Sequence, residues 1–318
     1  MKALVPFNHV EDFKGYKKAG AKEFYIGFWD PEWYKRFGEY ADLNRLSGFK
    51  NMANCNTFEE ILPIIKKVKA TNLTIYVTFN SSIYSEEQLN YIQRYMTPLR
   101  EAGVDGIIVS CAELVTMAKK FNLNAVISTI AGVYNSDIAR YYENLGAKRI
   151  ILPRDLSIKD IELIVNKVPN MEYEVFMMRN GCVFSDANCL GLHRREKVAI
   201  CTTLGNSTCE ITSLKEGTTV EEDMELNHML YHKEFHSSAC GLCSIYRFVK
   251  LGITAGKIVG RAENYEDICK DIRLMCDNVE IAKTCTSEKE YLERMILPFS
   301  STELCSRGLN CYYPEIKF

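Results

Sequence analysis

The sequence predicts an α/β fold, a TIM-like (β/α)8 barrel with a Cys-rich insertion after strand seven. Three observations predict it. Short β-rich runs alternate with helical patterns eight times over, the rhythm of parallel strands joined by crossover helices. Gly closes successive helices in one recurring pattern, at Gly20, Gly103, Gly146 and Gly252, each followed by an apolar residue and a strand. Two long segments, Trp29–Asn56 and Cys182–Ser238, interrupt the rhythm directly after strands. That places them on the C-terminal face, where such barrels put their active sites. An open doubly wound sheet is the alternative architecture.

In chain order, the expected strands are Ala3–Pro6, Glu23–Phe28, Thr74–Phe79, Gly106–Ser110, Ala125–Thr129, Arg149–Leu152, Glu172–Met178 and Gly256–Gly260. Helical stretches fall at Thr57–Lys69, Glu86–Ala102, Ser136–Leu145 and Ser157–Val168. Several begin as a capped helix does, with a hydroxyl residue and an acid soon after, as in Ser85-Glu86-Glu87. The barrel domain is read as residues 1–265, including the insertion at 180–245. Residues 266–318 form a C-terminal helix and a Cys-containing tail packed on the barrel.

The bulk composition is that of an ordinary globular chain. Of 318 residues, 47% are hydrophobic and 25% charged. A net charge of −2 and a pI near 6.3 give no overall bias toward nucleic acid. The first residues are too poor in apolar side chains for a signal peptide, and no apolar run approaches the roughly 18 residues of a membrane span. The chain therefore reads as cytosolic, with no membrane span. Homo- and hetero-oligomers both remain open. In a reducing compartment, 13 cysteines point to metal or redox chemistry rather than to disulfides.

Those cysteines concentrate where the seventh strand ends. The run E-V-F-M-M-R-N-G-C-V-F-S-D-A-N-C breaks at Asn180-Gly181 and delivers Cys182 and Cys189; Cys201, Cys209, Cys240 and Cys243 follow. Thiolates are the ligands of iron–sulfur clusters and of soft metals. Cys240-Gly241-Leu242-Cys243 is a C-x-x-C turn, a spacing that suits two ligands of one centre. Cys305 and Cys311 are further candidates, with a docked C-terminal tail as the ordinary alternative. Eight candidate cysteines suffice for two clusters. Cys55, Cys111, Cys269, Cys276 and Cys285 read as packing residues. His228, His232 and His236 recur every four residues, so zinc on histidines together with Cys240 and Cys243 is a competing reading. The segment lacks H-E-x-x-H, and no Walker loop, G-x-S-x-G elbow or G-x-G-x-x-G stands out.

Around the cysteines the chain resembles the collagenase-like peptidase family U-32, whose signature is E-x-F-x-x-G-[SA]-[LIVM]-C-x4-G-x-C. Glu174, Phe176, Cys182 and Cys189 stand at the signature spacing, while Arg179, Asn180, Gly181 and Ala187 depart from it. Leu152-Pro153-Arg154-Asp155-Leu156-Ser157 is similar to the family's L-x-R-E-L-S, and Lys257-Ile258-Val259-Gly260-Arg261 to its K-I-x-G-R. The resemblance covers roughly residues 1–265. It implies either a peptidase, as the family name says, or an oxygen-independent hydroxylase carrying a 4Fe-4S cluster. Substrates of the latter kind are quinone precursors, tRNA uridine or rRNA cytidine, so a small molecule or RNA is the implied partner. Carried over, Cys182 and Cys189 match the first two cluster ligands and Cys240 the last, with the third left between Cys201 and Cys209. A non-catalytic scaffold with a structural cluster is a third reading.

Polar residues at strand ends are the substrate-site candidates, since the ends of barrel strands converge on one pocket. They are Asn8, His9, Asn80, Ser81, Thr129, Asp155, Asn180 and Glu263, with Arg154, Arg179 and Arg261 as the arginines that would position a substrate carboxylate or phosphate. Trp29, Trp33 and Tyr34 in the first insertion are candidates for stacking on a planar substrate.

Overall fold

A computed structural model describes residues 1–38, 41–46, 53–182, 184–189 and 238–298, together with 216–217, 219, 222, 235–236, 305, 308 and 310–316. Eight parallel strands close into a barrel in sequence order. They are β1 (Lys2–Pro6), β2 (Glu23–Ile26), β3 (Thr74–Phe79), β4 (Gly106–Val109), β5 (Asn124–Ile127), β6 (Arg149–Ile151), β7 (Glu172–Met178) and β8 (Ala255–Ile258). Pairing of β1 with β8, Leu4 opposite Lys257, shuts the ring. The eight predicted strands are all present, most trimmed by a residue or two where a polar loop begins. The closed ring excludes the open sheet.

The outer helices are α1 (Phe13–Ala19), α2 (Pro31–Phe37), α3 (Phe58–Lys69), α4 (Glu86–Ala102), α5 (Ala112–Lys120), α6 (Ser136–Leu145), α7 (Ile158–Lys167), α8 (Ile245–Leu251), α9 (Tyr265–Thr284) and α10 (Glu288–Arg294). The expected caps form. Ser85 accepts from the Gln88 amide while the Gln88 side chain accepts from the Ser85 amide, a capping box. Gly103, Gly146 and Gly252 end α4, α6 and α8 in the left-handed conformation that glycine adopts without steric cost. The first insertion contributes α2, whose Trp33 is fully buried against Phe37 and Tyr91 at ring distances of 4.7 and 5.6 Å. Trp33 is therefore a core residue, and the expectation that it stacks on substrate is corrected. Its apolar area is worth more packed under a loop than presented at a mouth.

The barrel interior is polar at its floor. Arg149 on β6 reaches Glu23 on β2 (Nη2 to Oε1, 3.2 Å) and Glu172 on β7 (2.8 Å), and Lys257 on β8 reaches Glu174 on β7 at 3.1 Å. Burial pushes the Glu23 carboxyl up, but the Arg149 hydrogen bond and charge outweigh it and hold Glu23 below the usual range. Burial also pushes the Lys257 ammonium down, and Glu174 only partly offsets this. The ion pairs cross from strand to strand inside the ring, so they lock its register.

Candidate functional site

The site is built where β7 ends. Arg179 and Asn180 both have positive φ, 62° and 49°. Such angles cost a non-glycine residue roughly 1–3 kcal/mol each and persist only where the surroundings hold them. Arg179 stands where the resembling signature has glycine, and the positive φ is the physical reason glycine suits that position. Here the turn is held from several sides. The Arg179 amide donates to the Ala239 carbonyl at 2.7 Å, Arg154 donates from Nη1 to the Asn180 carbonyl at 2.6 Å, and the Tyr312 hydroxyl donates to the Arg179 carbonyl.

The turn throws the chain into the Cys182–Cys189 loop, and Asp186 anchors that loop. Its carboxylate is completely buried and meets Arg45 Nη2 at 2.6 Å, Arg154 Nε at 2.8 Å and Thr129 Oγ1 at 2.9 Å. Burial pushes the Asp186 carboxyl up, but Arg45 and then Arg154 outweigh it, so the group lies well below the usual carboxylate range. Next to it Tyr134 donates to Asp155 at 2.9 Å and shares a hydrogen bond with Ser185 at 2.6 Å. Ser82 donates to the Cys189 carbonyl at 2.7 Å. The cysteine loop is thus stitched to residues following β3, β5 and β6, across the C-terminal mouth of the barrel.

The chain comes back to the β7 exit at Cys240. Cys240 forms an antiparallel bridge with Met178, and the Gly241 amide donates to the Met177 carbonyl at 2.8 Å. The C-terminal tail then lies on the other side of Cys240. Cys240 donates its amide to the Asn310 carbonyl at 2.8 Å and accepts from the Tyr312 amide at 2.9 Å, pairing in parallel with Cys311. Tyr312 and Tyr313 are buried beneath this contact, and the Tyr313 hydroxyl donates to the Phe176 carbonyl at 3.1 Å.

The three predicted arginines have different partners. Arg154 lies over the Phe176 ring, 4.3 Å from its centroid, and its donors go to Asp186 and Asn180. Arg179 turns outward to Asp271 and Asp267 on α9. Arg261 is buried at the mouth and donates to Asn54 (2.7 Å), Asn44 (3.3 Å) and Thr78 (3.4 Å). Among the described residues no carboxylate lies within ion-pair distance of Arg261. Burial, together with repulsion from Arg45, pushes its guanidinium down to about 10, so it remains charged at neutral pH. Its path over β2 requires Gly27, where a Cβ would stand 1.9 Å from Arg261 Nη1. Asn8 donates to the Arg261 carbonyl, and Asn80 accepts from the Arg45 amide at 3.2 Å and donates to Ser128 at 3.2 Å.

Cys182, Cys189 and Cys240 are thiol donors of the kind that iron and zinc take; Cys182 and Cys240 stand at the β7 exit, and the Cys189 carbonyl is held by Ser82 after β3. Cys201, Cys209, His228 and His232 lie outside the described residues. His236 is described, with Nδ1 3.1 Å from the Gly181 carbonyl. Among the described residues no three His, Cys, Asp or Glu side chains already converge on one metal position. No described helix is long and apolar enough to cross a membrane. Arg45, Asp186 and Tyr312 were absent from the sequence-derived candidates. Asp186 had one signal, an acid inside the Cys182–Cys189 interval; Arg45 and Tyr312 act across the fold and had none.

Several known proteins are similar to this chain. The chain is similar to tRNA hydroxylation protein P of Escherichia coli strain K12, with 29% identity over 128 residues, 40% of this chain and 28% of that protein. It is similar to the 23S rRNA 5-hydroxycytidine C2501 synthase of the same organism, with 24% identity over 267 residues, 81% of this chain and 39% of that protein. A third relative is the uncharacterized protease MJ0090 of Methanocaldococcus jannaschii, 29% identical over 154 residues, 47% of this chain and 37% of that protein. The matches span less than two-fifths of each of these relatives. The model of peptidase family U32 matches residues 8–314, nearly the whole barrel and tail, and the chain belongs to that family.

Proposed function

We propose that this chain is an iron–sulfur-dependent enzyme that hydroxylates an RNA base without using dioxygen. The observation that carries the reading is the Cys182–Cys189 loop, held across the barrel mouth by the buried Asp186–Arg45–Arg154 cluster. A rigidly held pair of thiols at the C-terminal face suits a redox group facing the substrate pocket. Two of the relatives are named for hydroxylation of tRNA and of a 23S rRNA cytidine, which supplies the substrate class. Cys182 and Cys189, with further thiolates from among Cys201, Cys209 and Cys240, would hold a 4Fe-4S cluster. Such a cluster supplies one-electron chemistry when bound, while the protein sets its potential and positions the substrate.

The described residues divide the remaining work. Arg154 spends its donors on Asp186 and Asn180, so it is a positioning residue for the cysteine loop. Arg179 holds the β7 turn to α9 through Asp271. Arg261 keeps its charge without a carboxylate partner among the described residues. It is therefore the arginine best placed to meet an anionic or carbonyl group of a substrate entering the mouth.

The family name keeps a peptidase reading alive, and one contact favours it: the Cys55 thiol lies 3.9 Å from the His9 ring at the same mouth. Burial, however, pushes the Cys55 thiol up, whereas a nucleophilic cysteine needs its thiolate favoured. The test is protein purified without oxygen. Iron and sulfide are assayed, and RNA from hosts with and without the gene is digested to nucleosides for mass spectrometry. About four irons per chain and one base gaining a single oxygen only when the gene is present support the reading. Iron-free protein, or unchanged RNA together with peptide cleavage that Cys55→Ser abolishes, overturns it.

A further inference from the structure

The buried charges at the barrel mouth do not balance. Arg154 and Arg261 are buried there, and Arg45 is nearly so, its side chain 15% exposed. Most of the described carboxylates that are buried are engaged elsewhere. Glu23 and Glu174 belong to the floor network of Arg149 and Lys257. Asp30 is taken by Arg94, and Asp271 by Arg179. Asp186 is left for the mouth, and Arg45 and Arg154 already share it. Asp155 and Glu263, at strand ends, are exposed and screened by water. Three guanidinium groups therefore face one buried carboxylate, an excess of two positive charges.

The excess is centred on Arg261. Its guanidinium rests on Asn44, and Arg45 is the next residue along the chain. A guanidinium has five N–H donors. Here Nη1 donates to Asn54 and Thr78, and Nη2 to Asn44, all neutral oxygens. Among the described residues, the Nε donor and the second Nη2 donor meet no acceptor. Taking a charge out of water without a counterion is costly, so this group calls for a partner from outside the chain. A neutral base edge would accept its hydrogen bonds but leave the charge unmatched. A phosphodiester does both, since its oxygens fit the guanidinium fork. Arg261 also follows β8, and barrels of this kind frequently bind phosphate at the loops after strands seven and eight.

We propose that Arg261 binds a backbone phosphate of the RNA strand whose base enters the mouth. The phosphate follows from the charge count, while RNA as its source rests on the hydroxylase reading above. Asn44, Asn54 and Thr78 fix the guanidinium without cancelling its charge, which a carboxylate in their place would do. Arg45 adds a second positive charge beside it.

The test is calorimetric binding to protein purified without oxygen, with the dinucleotides UpU and CpC as probes. Each is compared with its methylphosphonate analogue, in which the linking group carries no charge. At least one dinucleotide should bind, and its neutral analogue at least about ten times more weakly, the loss expected for a charge-assisted hydrogen bond. Arg261→Gln should weaken the charged dinucleotide by a similar factor and remove its advantage over the neutral one. If Arg261→Gln does not fold, Asn44→Asp serves instead. It sets a carboxylate against the guanidinium and should weaken the charged dinucleotide alone; a purely structural Arg261 would leave binding unchanged. Equal binding of charged and neutral probes overturns the proposal, as does wild-type affinity in either variant. So does the absence of dinucleotide binding, including the case where succinate binds and a carboxylate takes the site. Binding is read without iron or turnover. A chain that binds the charged dinucleotide yet lacks iron therefore keeps the phosphate site while losing the hydroxylase reading.

Discussion

Replacing Asp186 with Asn tests whether one buried carboxylate holds the cysteine loop in place. The substitution keeps size and shape but removes the charge that meets Arg45 at 2.6 Å and Arg154 at 2.8 Å. Both cations stay behind, their side chains only 15% and 6% exposed, with their carboxylate gone. Removing one partner of a buried ion pair costs about 3–5 kcal/mol, mostly for the unpaired charge left behind. Asn still accepts one hydrogen bond, so the low end, about 3 kcal/mol, is expected, or a fall in Tm of roughly 6–12 °C. The pH dependence follows from the sign of the shift. The folded carboxyl titrates below its unfolded value of about 3.9, so its contribution is complete above that pH and disappears as pH falls toward the folded value. Urea unfolding of wild type and Asp186→Asn should therefore differ by a constant amount from about pH 5 to pH 8 and converge below about pH 4. Proteolysis at neutral pH should cut the variant near Phe184, which is already exposed. A variant within 2 °C of wild type, or a stability gap unchanged at pH 3, refutes the reasoning.

Two further substitutions probe the barrel beneath. Gly27→Ala places a methyl 1.9 Å from Arg261 Nη1 and 2.0 Å from Asn54 Oδ1, so it should destabilise by about 1–3 kcal/mol in thermal melts and expel Arg261 from its asparagine cradle. An unchanged Tm would mean that Arg261 does not run over β2. Lys257→Met leaves buried Glu174 with only Arg149, 3.8 Å away, and should cost about 3 kcal/mol, the low end for a broken buried pair, whereas Lys257→Met with Glu174→Leu should cost less than the single change. Additive costs in that double-mutant cycle would show that the pair is not coupled.

How much of this was legible in the sequence depended on the range of the interaction. Ser85 with Gln88, and Gly103, Gly146 and Gly252, mark helix ends through contacts within a few residues, so the caps were legible where they occur. Strands alternating with helices left few topologies, and the right-handed crossover made the barrel the natural one. Trp33 misled because a large aromatic in an insertion looks the same whether it lines a pocket or packs under a loop. Its fate was decided by Tyr91, far along the chain. Arg154 and Arg179 read as substrate groups by position, yet each met an acid, Asp186 and Asp271, that only the folded chain brings near.

The sequence by itself determined the barrel, the address of the cysteines at the exit of β7 and the family to which they belong. Those features are written in local periodicity and in spacings along one stretch of chain. The tertiary structure alone decided that Arg45 and Arg154 share Asp186, that Arg261 keeps no carboxylate partner among the described residues, and that Cys311 lies against Cys240. Arg45 and Asp186, like Cys240 and Cys311, come from distant parts of the chain. Their meeting depends on where the closed ring sets the ends of its strands, which no local pattern encodes.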